Sequence, residues 1–177
     1  MTKTRWVTVL GFNKGMDREA TELCKAAGIR PSAACEVVRD GGRRWLAISP
    51  AALAILGPGE QAQLIEWSDF AHAAWEDSQR LLTLTFIDPA LPQMRFELVE
   101  NYSENFVTAV RERIDRSVVY QQFVELTSGV IARGQVRRNS DETLFTQILV
   151  DGEIHDKDRD EELLRELETE LREAVGL

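Results

Sequence analysis

Between residues 32 and 99 the chain alternates short apolar segments with turn residues at nearly even spacing. Residues 32–39 read as a strand, Asp40-Gly41-Gly42 as a tight turn and residues 43–49 as the returning strand, so the first pair is predicted to be a hairpin. Ser49-Pro50 breaks the run, residues 51–56 resume it, and Gly57-Pro58-Gly59 turns the chain before residues 61–67. The alanines of 51–56 also suit a helix, but the brevity of the segment and its flanks favour a strand. Ser68-Asp69 and Glu76-Asp77-Ser78 bracket another strand at 71–75. Leu82, Leu84 and Phe86 then alternate with Thr83, Thr85 and Ile87, and Met94, Phe96 and Leu98 with Arg95 and Glu97, each a half-buried strand pattern. About seven strands follow from this spacing, as a small antiparallel sheet requires.

The period then changes. Ser103 stands as a helix N-cap with Tyr102 placed to staple onto Val107, and Phe106, Val110, Ile114 and Val118 form one stripe. This helix is expected to close the open end of the sheet. Residues 118–126 stay apolar and β-branched, so the helix end and the start of a new strand compete there. Strands at 130–138 and 143–150 and a final helix complete the pattern. That helix has Asp158 and Glu161 as a capping pair, and Leu164, Leu167, Leu171 and Val175 on one face. Glu161 with Arg165 and Glu168 with Arg172 are spaced to support it. Before residue 32 lie a strand at 6–10 and a short helix at 16–27, with Gly28 as its stop and Pro31 beyond. Three parts are expected: 1–31, a strand and helix; 32–126, the sheet and its helix; 127–177, a strand-strand-helix extension.

The segments CEVVRDGGRRWLAISPAALAIL and IEWSDFAHAAWE resemble a group of uncharacterised actinobacterial proteins with a pleckstrin-homology-like fold. The similarity extends more weakly through RERIDRSVV to LREAVGL. It implies an α+β fold: a pleckstrin-homology-like antiparallel sheet of about seven strands capped by the helix that begins near Ser103. No catalytic residue is implied.

Composition narrows the partners. Of the formal charge of −9, residues 151–177 hold −7, from eleven acids against four bases. Such a tail is repelled by nucleic-acid phosphates and anionic lipid, which disfavours both as main partners. No apolar run approaches a membrane span, and the start lacks a cleavable signal, so a cytoplasmic location is expected. Asn101-Tyr102-Ser103 fits a glycosylation sequon that such a location leaves unused. Cys24 and Cys35 match no metal or redox spacing and read as buried, idle thiols.

Candidate chemistry is sparse. Asp151, Glu153 and His155 would share a face if the preceding strand continued, giving a metal-dependent hydrolase as an alternative reading. A calcium loop starting at Asp156 fails, because Glu161 and Leu167 occupy the positions that want glycine and glutamate. A solvated acidic turn is therefore the simpler account. His72 fits an ordinary surface or edge histidine. Gly11 to Gly15 lacks the lysine and hydroxyl placement of a phosphate loop. Trp45, Trp67 and Trp75 are expected in the core rather than as an aromatic cage. Arg43, Arg44, Arg133 and Arg137 are the candidate ligand-binding residues, a basic patch for a phosphate or an acidic peptide. On a strand Arg133 and Arg137 share a face and Arg138 points away. The leading expectation is a non-enzymatic protein-binding or scaffolding module without cofactor. Contact would run through a strand edge, the last helix or self-association.

Overall fold

A computed structural model describes residues 16–39 and 42–177. The strand expected at 6–10 and the turn at Gly11 to Gly15 lie outside the described residues. Helix α1 (Arg18–Ala26) is capped by Asp17, whose carboxylate accepts the Glu19 N–H at 2.8 Å. Seven strands follow: β1 (Ala33–Arg39), β2 (Gly42–Ile48), β3 (Ala52–Leu56), β4 (Gln63–Glu66), β5 (Phe70–Glu76), β6 (Leu81–Phe86) and β7 (Met94–Leu98). All pairings are antiparallel, and the order β4-β3-β2-β1-β7-β6-β5 sets two meanders side by side, joined where Val37 faces Leu98. Helix α2 (Glu104–Ser117) closes this sheet. The molecule is thus α+β, with a pleckstrin-homology-like sheet and capping helix as its larger part.

Two apolar layers explain the sheet's sequence. Leu46, Ile48, Leu53, Leu82, Leu84, Phe96 and Leu98 meet Phe106, Val110 and Ile114 of α2 in one core. On the other face Trp45, Ala47 and Ala54 pack against Ala20 and Cys24 of α1. Because β2 and β3 are covered on both sides, β3 is buried along its whole length, and its apolar run needs no alternation. Tyr102 packs on Trp75 with ring centroids 5.0 Å apart. Ser103 occupies the N-cap position, but its side chain makes no capping hydrogen bond.

Beyond α2 the chain builds a second antiparallel sheet from β8 (Val118–Glu125), β9 (Ile131–Arg138) and β10 (Leu144–Val150), in the order β10-β9-β8, backed by α3 (Lys157–Val175). The extension therefore holds one strand more than the strand-strand-helix expected, since the ambiguous stretch after Ser117 turns directly into β8. Val118 leaves the helical stripe because its partner is Arg137 across the ladder. Leu167 and Leu171 bury against Val136, over Gly134. Asp156, rather than Asp158, caps α3 by accepting the Arg159 N–H at 3.2 Å. Glu168 pairs with Arg172 at 3.4 Å, while Glu161 reaches Lys157 in place of Arg165. No helix among the described residues is long and apolar enough to cross a membrane.

Candidate functional site

Pleating of β9 sorts its side chains. Ala132, Gly134 and Val136 belong to the face covered by α3, whereas Arg133, Gln135 and Arg137 belong to the other. This second face meets the larger sheet where β5 starts and α2 ends. There Arg137 is 1% exposed. Its guanidinium donates to the Phe70 carbonyl at 2.7 Å, the Ser117 hydroxyl at 3.0 Å and Gln135 Oε1 at 3.1 Å, with a longer contact of 3.5 Å to the Ala71 carbonyl. Every one of these acceptors is neutral. Burial, with the nearby charge of Arg133, pulls the Arg137 pKa down to about 10. Farther along the joint the Ser68 hydroxyl donates to Asn139 Oδ1, and the Ser140 N–H donates to Glu66.

Beside Arg137 lies an open groove of about 580 Å³, lined by His72, Asp115, Tyr120, Gln121 and Arg133 among others. Arg133 is half-buried, and its Nε is shielded from water without a hydrogen-bond partner. Ion pairs among the described residues engage Arg43, Arg44, Arg80, Arg116, Arg138 and Arg172, but neither Arg133 nor Arg137. His72 sits on β5, 3.3 Å from the Thr85 hydroxyl.

The four candidate arginines separate into two pairs. Arg133 and Arg137 line the groove together, as their shared strand face predicts. Arg43 and Arg44 do not line it. Arg43 is held by Asp17, Glu19 and Glu36 while lying over the Trp45 ring, and Arg44 is paired with Glu60. These carboxylates come from α1, β1 and the β3–β4 loop, so the basic patch expected from sequence is split by long-range ion pairing. Arg138 turns away and pairs with Glu142 at 3.3 Å.

Other candidates occupy structural positions. Trp45 and Trp67 are buried on opposite faces of the sheet, and Trp75 packs at the edge of the α2 core, so the three form no cage. β10 ends at Val150, which leaves Asp151, Glu153 and His155 in a loop rather than on one strand face. His155 lies 3.9 Å from Glu153, both well exposed, and no cluster of three metal-ligating side chains occurs among the described residues. Cys24 and Cys35 are free and buried; burial raises both thiols, Cys35 to about 12 with help from the Glu36 charge.

β8 is a feature that the strand count missed. It forms one edge of its sheet and carries no charge from Val118 to Val124. Phe123 is 56% exposed and Ile131, opposite Glu125, is 49% exposed; Val119 and Tyr120 add to the same strand's exposed apolar surface. The run of β-branched and aromatic residues after α2 was the available signal.

No family model matches the chain, and no curated protein matches it as a relative. Among solved structures it is similar to the FERM and C-terminal domain complex of Drosophila Merlin, at 12% identity and a TM-score of 0.42. That match covers 55% of this chain and 32% of the other, so the chain spans about a third of that structure's length. The pleckstrin-homology-like assignment rests on the strand order and the capping helix, and the likeness to the actinobacterial group remains a resemblance of sequence.

Proposed function

We propose that this chain is a non-enzymatic protein-binding module that takes an extended segment of a partner along the edge of β8, which is unpaired among the described residues. The observation that carries this reading is the edge itself: seven uncharged residues, free of proline and glycine, with Val119, Tyr120 and Phe123 exposed. Edge strands of soluble proteins are ordinarily blunted by charge, proline or cover, and strand addition satisfies such an edge with main-chain hydrogen bonds. The last helix, the other surface expected to bind, is already occupied: Leu167 and Leu171 are spent on the chain's own sheet. The matching partner segment is extended and uncharged at the position beside Phe123.

Selection of extended peptides from a random library on the intact chain tests this, with hydrogen exchange as the readout. The expected outcome is that selected peptides carry alternating apolar residues, slow exchange at the β8 amides, and bind at least about tenfold more weakly to a Phe123→Ser, Ile131→Ser variant. Peptides that protect another surface, or none retained, would overturn the reading. A sedimentation mass of two chains that reverts to one in the same variant would make a second copy the occupant instead.

A further inference from the structure

The groove at the head of β8 has an electrostatic composition that the strand edge does not explain. Two arginines line it, one fully buried and one half-buried, and neither is ion-paired among the described residues. Asp115, on the last turn of α2, is the carboxylate on its wall, and it is exposed. Buried cations are ordinarily matched by an anion, because neutral acceptors satisfy their hydrogen bonds without cancelling their charge. Arg137 has such neutral acceptors, with one side of its guanidinium held only by the 3.5 Å contact to Ala71. Arg133 has less, a shielded Nε–H with no acceptor at all.

We infer that this groove binds a phosphate group, with Arg133 donating to it directly and the buried Arg137 supplying positive charge beneath. Phosphate suits the groove better than carboxylate because its second charge and extra oxygens match two guanidinium groups. The volume leaves room for whatever bears the phosphate. A second groove, of about 290 Å³, also holds arginines: Arg116 is paired with Glu112 at 3.8 Å and Arg138 with Glu142 at 3.3 Å, while Arg113 makes no ion pair among the described residues. None of those three arginines is fully buried, whereas Arg137 is, and a desolvated cation gains most from an anion, which is why the Arg133 groove is the one assigned. This inference does not depend on the β8 reading, since it rests on Arg133 and Arg137 of β9, although Val119 and Tyr120 of β8 also line the groove and Phe123 pairs with Arg133 across the ladder.

Titration of the full chain with inorganic phosphate, phosphoserine and glutarate tests it, followed by calorimetry and by the arginine Nε–H resonances. Saturable phosphate binding that shifts the Arg133 signal, weakens with added salt and exceeds glutarate binding is expected. Tighter binding of phosphoserine than of inorganic phosphate would point to a phosphorylated side chain as source; the reverse order would point to free phosphate. Arg133→Gln should weaken binding about tenfold, Asp115→Asn should tighten it a few-fold, and Arg138→Gln should change nothing. The two sites are read separately: a peptide at the edge slows exchange of the β8 amides, whereas phosphate shifts the Arg133 Nε–H signal. Unsaturable binding, or an Arg133→Gln affinity equal to the parent's, overturns the inference. If Arg133→Gln does not fold, Asp115→Asn decides, and an unchanged affinity there overturns it as well.

Discussion

Arg137 illustrates how one side chain can serve packing and electrostatics together. Its guanidinium ties the extension to the start of β5 and the end of α2 through the Phe70 carbonyl and the Ser117 hydroxyl. Truncation to alanine leaves these acceptors without their donor, and Arg137→Ala is expected to cost on the order of 2–3 kcal/mol in urea denaturation. Gly134, which precedes Val136 on the α3 face of β9, is constrained differently: a Cβ there would lie 2.6 Å from Leu171 Cδ1 and 3.0 Å from Leu167 Cγ. Gly134→Val should therefore destabilise the chain by about 1–3 kcal/mol in the same measurement. The shared face of Arg133 and Arg137 was legible in sequence, because strand side chains alternate with period two. The partners of Arg43 and Arg44 were not, because they come from segments 7 to 26 residues away.

At the scale of elements, α3 is anchored near its start by Asp160, which is buried and accepts the Thr127 N–H at 2.8 Å. That hydrogen bond is the main reason its carboxyl is held below the usual carboxylate range. In the unfolded chain the group returns to about 3.9. Its stabilising contribution is then complete above that value and fades as pH falls through the lower, folded one. Asp160→Asn should flatten this acid dependence, read as the change in urea midpoint between neutral pH and about pH 3. The same element shows where the capping motif misled: Asp158 with Glu161 reads as the capping pair in the sequence, but the capping role falls to Asp156, while Asp160 is committed to the β8–β9 turn. β8 escaped the strand count for a related reason. The apolar stripe of α2 runs smoothly into Val118, and only pairing with β9 ends the helix at Ser117.

For the whole molecule, two sheets meet at a polar joint, and α3 covers the far side of the smaller one. Ending the chain at Val150 would strip Leu167 and Leu171 from Val136 and leave Val124 and Ile148 uncovered. Such a form should aggregate or lose the fold of β8–β10, measured by light scattering and near-ultraviolet circular dichroism, so point variants are the sounder probe of binding. What the sequence determined by itself was local: seven strands with their turns, the amphipathic stripes of α2 and α3, and the parity that sets Arg133 beside Arg137. These follow from backbone periodicity and turn chemistry acting over a few residues. The tertiary structure alone decided which arginines are neutralised, which strand becomes an uncharged edge, and where a buried cation is left facing a groove. Those outcomes depend on groups brought together from distant parts of the chain, and no local spacing encodes their distances.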